Sequence, residues 1–566
     1  MEFEMTKIIE CVPNFSEGRD MSVIDKITAE IKKVSGVRLL DVDPGYDTNR
    51  TVVTFVGEPE AVKQAAFAAV KKSHELIDMR HHKGAHPRFG ACDVCPVIPV
   101  SGVTMDECVE IAHDLGKRLG EELDYPVYFY EYAATSPERR NLATVRSGEY
   151  EGLEAKLKDP KWKPDFGPAE FRPTKGATAV SARDFLIAYN INLNTTNAKK
   201  ANAIALRLRE QGYPEKDADG NPKLDANGKK IMHPGMFKNC KAIGWYVDDF
   251  KRAQISINLT NYHVTNMFHV FDAASKLAEE KGLRVTGSEI VGVLPKEALI
   301  EAGIHYLEKQ GTCAGQSEAE LIKIAEQSLG LSDVVKFKPE EKVIEYMVKE
   351  TKGLSDITVT EFSDLLASDA PAPGGGSVAA LCGSLAAALG SMVANLTYNK
   401  KGYKEHNEKM NTVAKDMQVR RAELLHLIDE DTNAFNIMMS AMKAQNAAKK
   451  AGNPDEIAAA DKNMDEANKY AISVPLHVLE KTYELLPNLK IVGEFGNINA
   501  ASDAGVGALL VQAGVKAAAL NVKINLKNFA KDDPFYAETS AAMNKVLDVV
   551  DKEAEEILAI VEKKIS

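Results

Sequence analysis

Residues 37–77, VRLLDVDPGYDTNRTVVTFVGEPEAVKQAAFAAVKKSHELI, change their hydrophobic period part-way along, and that change decides the fold of the first part of the chain. VRLLDVD and TVVTFVG alternate apolar and polar side chains, as β-strands do, whereas PEAVKQAAFAAVKKSHELI repeats its apolar residues every three to four positions, as a helix does. A strand (KIIECV) and a helix (MSVIDKITAEIKKV) are predicted directly before them. This order predicts βαββ units of an α+β, ferredoxin-like sheet.

The alternation of periods continues beyond this stretch. As far as about residue 133, a strand (ACDVCPVIPV), a helix (MDECVEIAHDLGKRLGEEL) and a strand (PVYFYEYAA) are predicted. Farther along, DFLIAYNINL and AQISINLTNYHV are typical of strands, and NAKKANAIALRLREQ and NMFHVFDAASKLAEEKG of helices. We therefore expect two α/β subdomains, residues 1–182 and 183–335.

The sequence changes character after about residue 355. Long helical patterns rich in alanine, methionine and leucine run from there to Ser566. Because 566 residues exceed what one hydrophobic core usually serves, we expect a separate all-α domain at 358–566, after a linker at 336–357. The predicted fold class is multidomain, with two α/β (α+β, ferredoxin-like) subdomains followed by an all-α helical domain.

Composition and charge disfavour several classes of protein. Hydrophobic residues make up 45% and charged residues 27% of the chain, which is typical of a folded globular protein. A net charge of -12 without a basic, aromatic-rich face argues against nucleic acid as a partner. No uninterrupted apolar run approaches the roughly 18 residues that cross a bilayer, so we expect no membrane span. Seven scattered cysteines and no secretory signal favour reduced thiols and a cytoplasmic location.

The stretch DMRHHKGAHPRFGACDVCPVIPV, which begins at residue 78, concentrates histidine and cysteine. Its possible zinc ligands are His81, His82, His86, Cys92 and Cys95. Zinc-binding C-x-x-C pairs lie on tight turns, whereas Cys92 and Cys95 are predicted to lie in a strand and to point to opposite faces. We therefore expect no metal, with His81 and His82 exposed in a loop and both cysteines buried.

His86 differs from the other two histidines in its surroundings. It lies in GAHPRFG, with Pro87 constraining the backbone and Arg88 two positions further on. Such a loop, directly before a strand, presents an imidazole and a guanidinium together. This combination suits proton transfer beside a substrate that carries carboxylates, so His86 is a candidate general acid or base.

Several motifs match one family. ECVPNFSEG, DVDPGYDTNRTVVTFVG, GAHPRFGACDVCPVIPV, DFGPAEFRPTKGATAVSARDFLIAYNINL and GWYVDD together resemble glutamate formiminotransferases. The all-α part is similar to formiminotetrahydrofolate cyclodeaminases. The resemblance covers residues 6–566, in the order of the fused bifunctional enzyme.

The resemblance implies transfer of a formimino group from N-formimino-L-glutamate to N5 of tetrahydrofolate, in monoglutamyl or polyglutamyl form, during histidine degradation. It implies that His86, in the H-P-R motif, is catalytic and accepts the N5 proton, which suits an intrinsic pKa near neutrality. Asp43, the second aspartate of the D-V-D motif, is implied to orient or charge the site. The implied folate-binding residues are Gly167, Pro168, Ala169, Glu170, Phe171, Arg172, Pro173, Thr174, Lys175 and Gly176.

Glutamate also carries two carboxylates, which forked donors bind well. Arg50 in DTNRT and Arg183 in VSARDF are candidates for this contact. An exposed structural salt bridge is an alternative role for either arginine.

The all-α part opens with SDAPAPGGGSVAALCGSLAAALGSMVANLTY. This stretch lacks the lysine of a P-loop and follows no predicted strand, so a nucleotide site is not expected. The glycines can form a turn that lets a small-residue helix pack closely, and the resemblance implies that the same turn opens a folate site. The residues concerned are Gly374, Gly375, Gly376 and Ser377.

A carboxylate lies on the apolar side of the next predicted helix, LLHLIDEDTNAFNIMMSAM. Asp431 is in the middle of the apolar stripe, whereas Asp429 is roughly 200° around the helix. A buried carboxylate is costly unless it is paired or protonated, so Asp431 either makes a structural hydrogen bond to a helix N-terminus or is a general acid/base with a raised pKa. The resemblance points to Asp431 as the proton shuttle for ring closure. Asp503, Asn521 and Asn525 are further candidates for contacts to the pterin.

Three functions remain open at this point. The leading one is a bifunctional enzyme that forms 5-formiminotetrahydrofolate and cyclises it to 5,10-methenyltetrahydrofolate with loss of ammonia. A second replaces the cyclodeaminase by a methenyltetrahydrofolate cyclohydrolase, which uses a helical folate-binding fold of the same family. A third is a folate-binding scaffold without catalysis, which the presence of His86 and Asp431 disfavours. The resemblance also implies a homo-oligomer built from dimers.

Overall fold

The computed structural model describes residues 7–46, 48–84, 86–217, 221–225, 227–248, 250–348 and 352–566. The chain divides into two compact units, residues 1–299 with 326–349 and residues 300–325 with 350–566. The strands are β1 (Ile8–Cys11), β2 (Asn14–Phe15), β3 (Val37–Gly45), β4 (Arg50–Gly57), β5 (Cys92–Ser101), β6 (Val127–Glu131), β7 (Thr178–Ala182), β8 (Ile187–Leu193), β9 (Tyr213–Pro214), β10 (Met232–His233), β11 (Cys240–Val247), β12 (Arg252–Leu259) and β13 (Val285–Val291). The helices are α1 (Met21–Lys32), α2 (Pro59–Leu76), α3 (Met105–Glu122), α4 (Leu142–Val145), α5 (Glu149–Leu157), α6 (Ala198–Leu208), α7 (Met267–Glu279), α8 (Lys296–Lys309), α9 (Glu318–Leu329), α10 (Pro339–Lys342), α11 (Ile344–Met347), α12 (Val359–Leu366), α13 (Gly375–Thr397), α14 (Asn407–Ala451), α15 (Pro454–Tyr483), α16 (Leu486–Phe495), α17 (Ala501–Asn525) and α18 (Pro534–Ile565).

Strands β1 to β7 form one mixed sheet. β3 pairs with β4, both β1 and β2 lie between β4 and β5, and β7 lies between β5 and β6 and runs parallel to them. Helices α1, α2 and α3 cover one face, where Phe55 and Phe129 belong to the main core. Tyr128, on the opposite face, packs in a smaller cluster with Leu153 of α5. This arrangement confirms the predicted α/β class for the first part of the chain.

β5 contains one irregularity that matters for the candidate catalytic loop. Asn14 of β2 pairs with Val94, but the next residue, Phe15, pairs with Cys92. Asp93 is therefore an extra residue on β5. A β-bulge of this kind shifts the alternation of side chains along the strand by one position.

The bulge makes the prediction about the two cysteines wrong. Cys92 and Cys95 do not point to opposite faces; both belong to the core under α1, α2 and α3, and the sulfur of Cys95 lies 3.7 Å from that of Cys11. All three thiols are buried, as predicted for Cys92 and Cys95. Burial raises the pKa of Cys92 well above its usual value, so this side chain packs as a protonated, small apolar group.

A second sheet in the same unit is antiparallel, in the order β11-β12-β8-β13. α6 packs on β11 and β12, and α7 packs on β8 and β13. The sequence predicts β8 and β12 but not β7, β11 or β13. Gly244 and Gly287 interrupt β11 and β13, and β7 (TAVSA) consists of small residues, so none of the three has a strong strand pattern.

Helices build the second unit, which confirms the predicted all-α domain. α13 packs against α14 and α17, α15 packs against the same two helices, and α18 packs against α17. Small residues let α13 approach its neighbours closely. A Cβ added to Gly383 would lie 2.5 Å from the Thr482 hydroxyl, and one added to Gly390 would lie 2.7 Å from Cε of Met417.

The compact units divide the chain differently from the predicted boundaries. Residues 300–325, assigned from the sequence to the second α/β subdomain, cluster with the helical unit. The predicted linker at 336–357 contains the short helices α10 and α11. An amphipathic pattern shows that a helix has a face to bury, but it does not show which core buries that face.

Two segments within the described residues are long and apolar enough to span a membrane, Gly375–Thr397 and Ile498–Asn528. Glycine, serine and asparagine interrupt both, which is why a search for unbroken apolar runs does not detect them. As α13 and α17 they pack against each other, and 61% and 50% of their most apolar windows are buried. Buried core helices share this composition, so the lack of a membrane span stays a prediction.

Candidate functional site

Asn49 fastens the loop that carries His86. Its side-chain amide donates to the Lys83 carbonyl at 3.1 Å, and its side-chain oxygen accepts the Gly18 N–H at 3.0 Å. The backbone carbonyl of Asn49 lies 2.7 Å from Nε2 of His82. His82 is therefore buried, contrary to the prediction of an exposed loop residue, and burial lowers its pKa.

Arg88, expected to act beside His86, is bound elsewhere. Its Nε donates to Nδ1 of His82 at 3.2 Å, and its terminal nitrogens donate to Glu149 and, at 2.8 and 2.9 Å, to Glu151. Both acids lie on α5, which the sequence pattern did not predict. Arg88 consequently secures the loop to α5 and is not paired with the imidazole of His86.

His86 is partly exposed, and its Nδ1 lies 2.7 Å from the carbonyl oxygen of Pro87. A carbonyl only accepts hydrogen bonds, so Nδ1 carries the ring proton and Nε2 keeps its lone pair. Burial, followed by the positive charges of Arg50 and Arg146, lowers the pKa of His86. The imidazole is thus neutral near pH 7 and can accept a proton at Nε2.

Asp93, on the bulge of β5, holds these two arginines. Its side chain is fully buried, and its Oδ2 accepts from Arg50 and, at 2.5 Å, from Arg146. Arg50 also donates through Nε to the side-chain oxygen of Asn14 at 3.1 Å. The side chains of Arg50 and Arg146 are only 10% and 13% exposed. The bulge therefore positions two guanidiniums beside the imidazole.

Sequence reasoning named Arg50 but neither Asp93 nor Arg146. Asp93 could have been found from the sequence, since it is the one charge within the apolar strand CDVCPVIPV, and a buried charge requires a partner. No sequence pattern distinguishes Arg146. It lies 53 residues from Asp93 along the chain, directly after the short helix α4, and only the fold brings the two together.

Asp43 lies on the same face of the sheet, farther from the imidazole. It pairs with Val52, which in turn pairs with Asn14, so Asp43 and Asn14 are two strands apart, or roughly 10 Å. The Asp43 side chain is exposed.

Arg183 occupies a third position on this face. Its N–H donates to the carbonyl of Val97, whereas Asn14, the partner of Arg50, pairs with Val94. The two arginines are therefore about three residues apart along β5, or roughly 10 Å. They can bind two different anionic groups and are not alternatives for one.

Glu10, on β1, is a buried carboxyl near Arg183 that sequence reasoning missed. Burial raises the pKa of Glu10 to about 7, although the positive charge of Arg183 opposes this shift. No pattern in ECVPNF distinguishes Glu10 from an exposed strand residue. It brings a group that titrates near neutrality to the middle of the sheet.

The segment Gly167–Gly176 is a loop that leads into β7. Gly176 forms a bridge with Gly90, and the Thr174 carbonyl accepts the N–H of Met79 at 2.9 Å. The end of the segment therefore lies against both ends of the His86 loop. Gly176 needs its φ of +73°, and an added Cβ would lie 2.1 Å from a backbone oxygen.

The cationic side chains of this segment already have partners. Arg172 binds the carboxylates of Asp124 and Glu170, and Lys175 donates to the carbonyl of Leu123 at 2.9 Å. The segment therefore offers a ligand its backbone and apolar groups more readily than its charges.

In the helical unit, Asp431 of α14 faces the first turn of α13. The Ser377 hydroxyl donates to Oδ2 of Asp431 at 3.0 Å, and the Ser377 N–H binds the same carboxylate. A Cβ added to Gly376 would lie 2.0 Å from Oδ1. Burial raises the pKa of Asp431, and the hydrogen bonds from Ser377 oppose this shift. The glycine-rich turn and the carboxylate named from the sequence thus form one site.

α17 brings one of its three candidate residues to this site. Asn521 is so close to Gly375 that an added Cβ there would lie 3.3 Å from Nδ2. Asn525 donates to the Ala471 carbonyl at 2.8 Å and joins α17 to α15. Asp503 is in the first turn of α17, roughly 27 Å from Asn521 along the helix axis. The fold of this chain does not bring Asp503 to the site, because the length of α17 separates them.

Glu430 and Tyr470 form a further pair next to Asp431, which sequence reasoning missed. The Tyr470 hydroxyl donates to the Glu430 carboxylate, and Nε2 of His426 lies 3.8 Å from the same group. Burial and the neighbouring Glu430 raise the pKa of Tyr470. The only signal in the sequence is the position of Glu430 between two aspartates.

Asp429 has different partners, as its predicted position around the helix requires. It accepts the Leu354 N–H and the Ser355 hydroxyl, the latter at 3.0 Å. It anchors the segment before α12, whereas Asp431 faces α13.

Comparison with known proteins relates both units of the chain to known families. Family models match over most of the chain: the N-terminal subdomain of the formiminotransferase domain at 8–183, the formiminotransferase domain at 188–349, and formiminotransferase-cyclodeaminase at 358–545. The formimidoyltransferase-cyclodeaminase of Dictyostelium discoideum is 41% identical over 98% of this chain and 99% of its own length.

Two shorter relatives match part of the chain. The glutamate formimidoyltransferase of Streptococcus pyogenes is 41% identical over 54% of this chain and 94% of its own length. A methenyltetrahydrofolate cyclohydrolase of Methylorubrum extorquens is 40% identical over 32% of this chain and 84% of its own length. Since the full-length match includes both units and both sites, the chain belongs to the formimidoyltransferase-cyclodeaminase family.

Proposed function

We propose that the first unit transfers the formimino group of N-formimino-L-glutamate to N5 of tetrahydrofolate, and that the helical unit cyclises the product to 5,10-methenyltetrahydrofolate with release of ammonia. One observation supports this proposal: each unit holds one side chain whose contacts suit proton transfer. These are His86, whose Nδ1 lies against the Pro87 carbonyl so that Nε2 keeps its lone pair, and Asp431, whose carboxylate faces the first turn of α13 and whose pKa is raised by burial.

In the transfer step, N5 attacks the formimino carbon and its proton passes to Nε2 of His86. The bond between that carbon and the glutamate nitrogen then breaks, and His86 returns the proton to the departing nitrogen. We place the folate over the sheet face that carries Asp43 and Arg183, with one end against Gly167–Gly176.

In the cyclisation step, N10 attacks the formimino carbon. Its proton passes through Asp431 to the imino nitrogen, and a second proton from the same carboxyl, resupplied by solvent, lets ammonia leave. A pKa raised by burial makes the Asp431 carboxylate a better proton acceptor than an exposed aspartate. The N–H groups at the start of α13 and the amide of Asn521 are placed to bind polar atoms of the pterin.

The test is to supply each unit with its own substrate. The full-length protein should convert N-formimino-L-glutamate and tetrahydrofolate to a product with methenyltetrahydrofolate absorbance, and should release ammonia from 5-formiminotetrahydrofolate supplied directly. The similarity of the helical unit to a methenyltetrahydrofolate cyclohydrolase favours a second candidate, hydrolysis of the methenyl group. Methenyl hydrolysis without ammonia release would support that candidate and contradict cyclisation.

We further propose that the protein is a homo-oligomer built from dimers, joined in part through the helical units. α13 and α17 each expose an apolar stripe, although most of their other faces are buried. The exposed residues are Leu385, Met392, Leu396, Val506, Leu509, Leu520 and Ile524. Unpaired apolar stripes of this size are typical of interfaces. Light scattering that gave the monomer mass of 61.7 kDa at micromolar concentration would contradict this proposal.

A cytoplasmic location and chemistry without a metal are also proposed. Neither step above needs a metal ion, since side chains move every proton. Elemental analysis showing about one zinc per chain, with activity lost on chelation, would refute the second part.

A further inference from the structure

The carboxylate of Asp93 accepts three hydrogen bonds within the protein. Its Oδ1 accepts the Phe89 N–H at 3.0 Å, and its Oδ2 accepts from both Arg50 and Arg146. One buried carboxylate thus holds two guanidiniums. Because the Asp93 side chain is fully buried, it acts by positioning the arginines and not by touching a ligand.

Charge is not balanced in this cluster. Two arginines with little exposure face one carboxylate, which leaves a net positive charge beside the neutral imidazole of His86. Glu149, three residues after Arg146, binds Arg88 instead, and among the described residues only the carboxylate of Asp93 lies within ion-pair distance of Arg50 or Arg146. A partly buried positive charge without a counter-ion is costly, so an anionic group of a ligand would stabilise it.

Arg50 and Arg146 both keep N–H donors that can bind an anionic group of a ligand. Each guanidinium has five N–H donors in a planar fork. Among the described residues, the recorded hydrogen bonds occupy Nε and one terminal nitrogen of Arg50 and one terminal nitrogen of Arg146. The second terminal nitrogen of each arginine is left for bidentate recognition of a carboxylate.

We propose that Arg50 and Arg146, held by Asp93, form a carboxylate-binding pair that takes the α-carboxylate of the formimino amino acid. The inference rests on the proposed transfer step. The nitrogen that leaves in that step is bonded to the α-carbon, so the α-carboxylate lies two bonds from it and must be close to His86. The carboxylates of a folate glutamate tail are separated from N5 by the whole p-aminobenzoyl group, and they suit the more distant Arg183.

The pair also links substrate binding to proton transfer. In the free enzyme, burial and then the positive charges of the two guanidiniums lower the pKa of His86, and a bound carboxylate offsets the part that is due to the guanidiniums. His86 should therefore be a stronger base in the substrate complex than in the free enzyme. The pH profile of kcat reports the enzyme–substrate complex, and that of kcat/KM reports the free enzyme. The acidic limb of the kcat profile is therefore expected at higher pH than the acidic limb of the kcat/KM profile.

The experiment compares Arg146→Gln and Arg146→Lys with Arg139→Lys in the full-length protein. Arg139 is a matched control, because it is a buried arginine paired with a buried aspartate, Asp165, away from the imidazole. Binding of glutarate, used as a dicarboxylate probe without chemistry, is measured by calorimetry. KM is measured for N-formimino-L-glutamate, for tetrahydrofolate and for tetrahydropteroate, which lacks the glutamate tail.

If Arg50 and Arg146 bind the α-carboxylate, Arg146→Gln should weaken glutarate binding and raise KM for N-formimino-L-glutamate about 10- to 100-fold, the usual range for a charge-assisted hydrogen bond. KM for tetrahydrofolate and for tetrahydropteroate should hardly change. The acidic limbs of the kcat and kcat/KM pH profiles should move to nearly the same pH. Arg146→Lys keeps the charge that Asp93 needs, so it should fold, but it should still bind glutarate less tightly because it lacks the fork. Arg139→Lys should leave all of these constants unchanged.

Two results would overturn the inference. Wild-type glutarate affinity in both folded Arg146 variants would exclude the pair as a carboxylate site. A rise in KM for tetrahydrofolate but not for tetrahydropteroate would assign the pair to the folate tail instead. Because glutarate binding requires no turnover, failure of the wild-type protein to transfer a formimino group would count against the proposed function and leave this measurement valid.

Discussion

Replacement of Asp431 by asparagine tests whether this carboxylate has a catalytic or a structural role. The asparagine side chain has nearly the same size, and its oxygen can still accept the hydroxyl and the N–H of Ser377. It cannot exchange a proton. We therefore expect ammonia release to fall by about two to four orders of magnitude, the usual contribution of general acid/base catalysis, while formimino transfer continues and 5-formiminotetrahydrofolate accumulates.

The stability of this variant follows from the same contacts. A carboxyl whose pKa is raised by the fold stabilises the protein least when it is ionised, so at pH 7 its replacement by a neutral amide should not lower the melting temperature. Asp431→Ala, by contrast, deprives the Ser377 hydroxyl of one acceptor. That hydroxyl also contacts the carbonyl of Ile428 at 3.1 Å, so the cost should be near the lower end of about 1 to 3 kcal/mol.

Asp429→Asn is the matched control. It weakens the hydrogen bonds to Leu354 and Ser355 and should cost about 1 kcal/mol of stability, but ammonia release should change only a few-fold. Ammonia release and melting temperature are measured on all three variants. A folded Asp431→Asn protein that releases ammonia at the wild-type rate would refute the assignment, as would an equal loss of activity in Asp429→Asn.

Three further predictions follow from the two sites. His86→Ala should lower formimino transfer by about two to four orders of magnitude and leave ammonia release from supplied 5-formiminotetrahydrofolate intact; transfer near the wild-type rate would remove His86 from the mechanism. Gly376→Ala should reduce ammonia release, because the new Cβ would lie 2.0 Å from Oδ1 of Asp431, whereas Gly375→Ala, whose new Cβ would lie 3.3 Å from Nδ2 of Asn521, should retain most of the activity; equal rates for the two would contradict the close approach. Glu10 has a folded-state pKa of about 7 against a usual value of 4.5, so it binds its proton more tightly in the folded state, and stability should fall as pH rises between these values. Melting curves at pH 5 and pH 8 should show that Glu10→Gln reduces this fall, and an unchanged difference would place the titration elsewhere.

Local patterns were enough for several conclusions. The period of two in TVVTFVG and the helical period after it predict the α/β part, since side-chain alternation is a property of each strand by itself. The helical stripe around Asp431 predicts that a carboxylate faces its neighbours, because the angle between residues on a helix depends only on their spacing. The choice of His86 from three histidines in one loop rests on the motif resemblance and stays a prediction.

The tertiary structure decided which residues meet. The bulge at Asp93 depends on the pairing of β5 with β2, so no pattern within β5 reveals that Cys92 and Cys95 share a face or that Asp93 receives two arginines. Arg146 reaches Asp93 only because α4 packs beside the sheet. α17 carries Asn521 to the turn of α13 and keeps Asp503 at its other end. Each of these outcomes depends on contacts between residues that are far apart in the chain. Such contacts follow from how the helices and strands pack together. The periodicity within one helix or strand carries no information about that packing.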